Sequence, residues 1–254
     1  MRFLSKDEWL SPPSLKDSIH FINSDISVEK LNETLDSGFT FIKKFCEKCM
    51  EIKKKKYNYQ SKFSFELPTF AISMHFFHYY SYHMSFRKFD RYELATACVF
   101  LASKLCNDFI KVETALEIYT SIKNANQSQA KNDKKPDLTK YEIELMSIIG
   151  FDLDFDLPYN YLDQYLNQII KEEDKRKKAQ NLSFVMVNDS YRRPLCLLFP
   201  PKYIALAAIY GASTMLDADM NFIFDEIIQF DKEIDKDTLL FCISELDNCT
   251  NTNN

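Results

Sequence analysis

Leu94-Ala95-Thr96-Ala97-Cys98-Val99-Phe100-Leu101-Ala102 becomes apolar on every side once it is wound into a helix. A helix with no polar face belongs in the centre of a bundle, and its alanines let neighbouring helices approach closely. The stretch predicts a helix from about Arg91 to Leu105. A second run of the same kind, Tyr203-Ile204-Ala205-Leu206-Ala207-Ala208-Ile209-Tyr210-Gly211-Ala212, follows Pro200-Pro201 about 110 residues later. Two such helices predict two bundles, each built around one of them.

The flanking sequence supplies the partners. From near Glu29, Leu31, Leu35, Phe39, Ile42, Phe45, Cys46 and Cys49 recur at three- and four-residue steps on one helical face. Pro68 opens a second helix carrying Phe70, Ile72, Met74, Phe77 and Tyr80. A fourth helix covers about 111–123, a polar and mobile loop covers 124–137, and a fifth helix runs from Leu138 towards Gly150. In the second half, helices are expected from Pro158, through Leu182 to Val187 after a charged stretch at 171–178, over the second apolar run, and at about 220–229 and 236–247. The fold class is therefore all-α, two tandem five-helix bundles. The expected organisation is an arm over 1–28, a first bundle over 29–154 and a second over 155–249.

Composition agrees. Of 254 residues 46% are hydrophobic and 27% charged, enough for a core and a soluble exterior, and only three are glycines. So few glycines disfavour sheet folds that need many tight turns. The net charge of −5 argues against direct nucleic-acid binding, which calls for a basic face. Seven cysteines without a secreted-domain rhythm read as reduced thiols. The start of the chain breaks into charge before any signal-peptide core develops, and no run is long enough to span a membrane.

Motifs for catalysis are missing: no Gly-rich phosphate loop, nucleophile elbow or zinc-protease helix occurs. His75, His78 and His83 cluster on one helix without a local acid or thiol, and read as partly buried histidines in preference to a metal site. Cys46-Glu47-Lys48-Cys49 has a zinc-like spacing but no second pair, and reads as helix-face thiols. Lys53-Lys54-Lys55-Lys56 reads as a solvated helix end, with nucleic-acid contact or an import signal as the competing reading. No catalytic residue, metal or cofactor is expected.

Phe86-Arg87-Lys88-Phe89-Asp90-Arg91-Tyr92 followed by Ala97-Cys98-Val99-Phe100-Leu101-Ala102-Ser103-Lys104 resembles the core of a cyclin box, whose central helix ends in Leu-Ala-x-Lys. The interval from Glu142 to Phe151-Asp152-Leu153 is similar to that between the glutamate of the fifth cyclin helix and its Phe-x-Leu exit. Val187-Asn188-Asp189-Ser190, Leu195-Cys196-Leu197 and Pro200-Pro201-Lys202-Tyr203-Ile204-Ala205 are similar to the second box of transcription cyclins, and Trp9 with Pro13-Ser14 to the arm before the first. The chain departs from the pattern at Leu105-Cys106-Asn107, where related cyclins carry Val-Glu-Glu, and at His78-Tyr79, where a His-Arg pair is common.

The resemblance implies a non-catalytic subunit that binds and activates a cyclin-dependent protein kinase as a heterodimer, in RNA polymerase II transcription. It implies a nuclear location, with the cytoplasm as a second one, and polymerase-associated factors as further partners. Lys104 and Glu142 match the pair that grips the kinase, with Leu105, Met146, Phe151 and Leu153 at the surrounding apolar positions. The alternative is a cyclin-fold general transcription factor or scaffold that binds protein or nucleic acid without activating a kinase.

Overall fold

The computed structural model describes residues 26–57, 67–126, 135–216 and 220–250, and every regular element among them is an α-helix. The Trp9 and Pro13-Ser14 arm and the 58–66 and 127–134 segments lie outside the described residues. The chain divides into two compact units between Phe155 and Asp156.

The first unit holds α1 (Val28–Tyr57), α2 (Leu67–His83), α3 (Arg91–Leu105), α4 (Val112–Asn126) and α5 (Leu138–Ile148). Asp90 starts α3: its Oδ1 accepts from the backbone N–H groups of Tyr92 and Glu93 at 2.8 and 3.1 Å, two donors that no helical carbonyl can satisfy. From Leu94 to Ser103 the helix is buried on all sides, packed by α1, α2, α4 and α5. Burial of α2 is almost as complete, so His75 and His78 are fully buried and not partly buried; only His83 reaches the surface. Close approach has a particular solution at Gly38 on α1, where the tip of the Phe77 ring occupies the space of a side chain.

The second unit holds α6 (Tyr159–Ile169), α7 (Glu173–Ser190), a single turn α8 (Leu195–Leu198), α9 (Pro201–Met215), α10 (Met220–Phe230) and α11 (Lys236–Thr250). Here α9 is the buried helix, opened by Pro201 at its first position, where the missing N–H costs nothing. Tyr165 on α6 donates to Asp231 at 2.6 Å, tying α6 to the residue that follows α10.

Three expectations are corrected. The charged stretch 171–178 is not a connection: α7 begins at Glu173, because Lys, Glu and Arg are good helix formers and Glu173 pairs with Lys177 one turn on at 2.6 Å. Asn124 to Asn126 are helical, the last turn of α4. The basic run is the end of the 30-residue α1, with Lys54 and Lys55 exposed but Lys53 turned inward to the buried carboxylate of Asp108.

The two helical glycines on the buried faces separate soft from hard packing. A methyl at Gly38 would lie 2.2 Å from Phe77 Cζ, whereas one at Gly211 would meet only the flexible tip of Met186. Gly38→Ala is expected to destabilise the first unit by about 1–2 kcal/mol, overpacking outweighing the gain in helix propensity. Gly211→Ala is expected to be close to neutral. Chemical denaturation of the two variants checks both.

Candidate functional site

Where the carboxyl-terminal end of α3 lies against the middle of α5, Lys104 Nζ and Glu142 Oε1 meet at 2.5 Å, with their side chains 34% and 25% exposed. Lys104 is also held over the Phe100 ring, 4.3 Å from its centroid, one turn back along α3. The ammonium is thus fixed between a ring face and a carboxylate. Two further bonds hold α5 in place: Tyr80 of α2 donates to Glu144 at 2.6 Å, and Tyr141 donates to Glu93 of α3 at 3.5 Å. Burial and the adjoining carboxylates raise the Tyr80 phenol, and they push Tyr141 up to about 12, so both remain donors at physiological pH.

Both helices stop in the same way. In α3, Asn107 takes a left-handed φ of 56°, and the Asp108 N–H reaches back to the Ser103 carbonyl at 2.8 Å. In α5, Gly150 is left-handed at 64°, and the Phe151 N–H reaches Met146 O at 3.2 Å. Each bond spans six residues and satisfies a carbonyl left over at the helix end, the Schellman arrangement. Phe151 is itself left-handed at 61° and 70% exposed. A side chain that bulky gains nothing locally from this conformation, which costs about 1–2 kcal/mol.

Apart from Glu142, which lies midway along α5, every residue singled out by the resemblance lies on these two helix ends or just beyond them. Lys104 and Glu142 are in contact, Leu105, Met146 and Leu153 are half-buried, and Phe151 is exposed. Sequence reasoning missed Ile143, which is 64% exposed. The signal was present, since Tyr141 and Leu145 are a turn apart on the buried face and Ile143 lies halfway between them, hence outward. It also missed Asp108, buried and bonded by Lys53 and by the Thr69 hydroxyl at 2.7 Å. No local pattern announces a buried acid whose partners are 55 and 39 residues away.

The other candidates take structural places. Cys46 and Cys49 are both buried in α1, where burial raises each thiol, Cys49 to about 12, which suppresses the reactive thiolate. His75 is held neutral: burial, with His78 beside it, lowers it to about 3.

Residues 57–154 match the cyclin N-terminal domain. Cyclin-K of Danio rerio is 31% identical over 159 residues, 60% of this chain and 36% of that protein. Cyclin-C of Rattus norvegicus is 31% identical over 148 residues, 56% of this chain and 52% of that one. The chain thus spans between about a third and a half of the length of these curated relatives. Among solved structures, a chain of the yeast RNA Pol II CTD kinase CTDK-1 complex superposes with a TM-score of 0.67 at 19% identity, over 92% of this chain and 71% of that chain. A chain of the CAK complex from Chaetomium thermophilum bound to ATP-gamma-S gives 0.62 at 15%, over 94% and 75%. At these identities the superpositions speak for the fold. With the domain match, the relatives and the bundled architecture in agreement, residues 57–154 carry a cyclin N-terminal domain and the chain resembles the transcription-associated cyclins.

Proposed function

We propose that this chain is the regulatory subunit of a protein serine/threonine kinase complex, binding and activating a cyclin-dependent kinase that acts on RNA polymerase II in the nucleus. The observation that carries the reading is the Lys104–Glu142 pair, fixed at 2.5 Å between the end of α3 and the middle of α5, with Leu105 and Met146 on the same two helices and Phe151 just beyond the second. A lone pair of this exposure contributes only about 0–1 kcal/mol to folding. Beside exposed apolar side chains it offers a donor and an acceptor at fixed positions. An ammonium can bind a partner's main-chain carbonyl and a carboxylate its N–H, and such charge-assisted bonds exceed neutral ones. Phe151, Leu105, Met146 and Leu153 supply the apolar contact that excludes water from them.

In this reading the surface receives the kinase's regulatory helix and favours the conformer in which the kinase's own Lys–Glu ion pair is closed. Phosphoryl transfer from ATP belongs to the partner; this chain contributes no catalytic group. Purifying the tagged chain from its native cells is expected to bring down one cyclin-dependent kinase in stoichiometric amount. The recombinant pair should phosphorylate a polymerase C-terminal-repeat peptide at least about tenfold faster than the kinase alone. A stable pair with no gain in rate would remove the activating role, and recovery of no kinase would remove the reading.

A further inference from the structure

We propose that Asp108 is a positioning residue for kinase binding: by pinning the last turn of α3 to α1 and α2, it holds Lys104 where the partner meets it. The inference rests on the reading that the Lys104–Glu142 pair receives the kinase, and it adds a group that the reading leaves out. Asp108 lies beyond the end of α3 and is only 6% exposed.

The last turn of a helix is its weakest part, because its carbonyls find no N–H further along the helix to accept from. Lys104 and Leu105 are the last two residues of α3. Two bonds close their turn: the Cys106 N–H reaches Ala102 O at 3.0 Å, and the Asp108 N–H reaches Ser103 O at 2.8 Å. The second acceptor is the carbonyl of the peptide bond that joins Ser103 to Lys104, so Asp108 grips the backbone of Lys104 directly. The bond depends on the left-handed φ of 56° at Asn107, a conformation that asparagine tolerates better than most residues.

The Asp108 side chain keeps this turn from opening. Its carboxylate accepts from the Thr69 hydroxyl of α2 at 2.7 Å and from the Lys53 ammonium of α1, and Thr69 is itself fully buried. Peeling the turn away would break both bonds inside the bundle. A buried ion pair adds little net stability over a well-packed apolar pair; what it supplies is a fixed geometry. On the near side, the Ser103 hydroxyl donates to Phe100 O at 2.7 Å, and Phe100 carries the ring beneath the Lys104 ammonium. Lys104 is thus held twice, at its tip by Phe100 and Glu142 and at its backbone by the Asp108 turn. The tip contacts are partly open to water and too weak to order the turn alone. A partner that meets a donor already in place does not have to order it, so loosening the turn is read as lost affinity.

Titration calorimetry of the full chain with the co-purifying kinase tests this on the parent, Asp108→Asn, Lys104→Ala and the double variant. Asparagine keeps an acceptor for Thr69 and removes the charge that holds Lys53. We expect Asp108→Asn to raise Kd about tenfold in the parent and less than about threefold in the Lys104→Ala background, since a residue acting through Lys104 loses its effect once that side chain is gone. An equal factor in both backgrounds marks a merely structural role and overturns the proposal. In the free Asp108→Asn chain, the amides of residues 106 and 108 should exchange with deuterium at least about tenfold faster, and gain more than the central amides of α3. Unchanged exchange at those two amides also overturns it. Should Asp108→Asn not fold, Thr69→Val removes one of the two bonds at little change in volume and should raise Kd by a smaller factor; parent-like binding by that variant then overturns the proposal. If Lys104→Ala weakens binding and Asp108→Asn does not, the positioning role is wrong and the kinase-binding face stands. If Lys104→Ala itself leaves Kd unchanged, the face is misassigned and the proposal falls with it.

Discussion

Glu142→Lys is expected to abolish activation of the partner kinase, with a loss of at least about 100-fold in complex formation, while the free chain melts close to its normal temperature. The stability half follows from exposure. Lys104 and Glu142 are about one third and one quarter open to solvent, so two ammonium groups placed together can splay into water, and the folding cost stays within about 1 kcal/mol. The binding half follows from geometry. The partner meets a donor at the end of α3 and an acceptor on α5, and the reversal removes the acceptor and buries an unpaired cation in its place.

A swap separates the two halves. Lys104→Glu combined with Glu142→Lys restores an ion pair between the same two helices, with donor and acceptor exchanged. If the pair served folding alone, the double variant would regain whatever the single one lost. We expect it to regain any lost thermal stability and none of the kinase activation, because the partner's carbonyl then faces a carboxylate. Recovery of activation by the swap would contradict the proposed role of the pair.

The second large effect concerns acid. His75 is fully buried in α2, with its ring 5.8 Å from that of Phe155, and is lowered to about 3 by desolvation and by His78. The folded chain therefore keeps it neutral, while the unfolded chain takes up a proton near the ordinary histidine value of about 6.5. Below that value the unfolded state binds the extra proton. The stability held by neutral His75 is thus fully present above about pH 6.5 and is lost progressively as pH falls towards 3. At about 1.4 kcal/mol per pH unit this amounts to about 3 kcal/mol by pH 4. Hydrogen exchange of the α2 and α3 amides between pH 7 and 4, corrected for intrinsic rates, reads the loss in the first unit. The His75→Gln variant should show a shallower dependence whatever its stability at pH 7. An unchanged slope in that variant would assign the acid sensitivity to other groups than His75.

Much of this molecule was legible in one dimension, because the properties concerned are local. Apolarity on all sides of Leu94 to Ala102 and of Tyr203 to Ala212 is enough to bury those helices, since no rotation about the axis offers water a polar face. Helix starts were legible where a fixed torsion suits the first turn, as at Pro201. The 171–178 stretch was misjudged because polarity was weighed above propensity; a helix needs only one apolar stripe, and the first turns of α7 come before that stripe begins at Ala179.

The site divides along the same line. Lys104 and Glu142 could be named from spacing, but that they touch is a fact of packing, fixed by Tyr80 and Tyr141 drawing α5 against α2 and α3. The hold on the last turn of α3 depends on Asp108, whose partners stand on two other helices far away in the chain. Sequence alone determined which helices form and which two lie at the centre, because side-chain polarity and torsional preference act within a few residues. The tertiary structure decided which groups meet and which remain in water, because contact and burial depend on residues that only folding brings near.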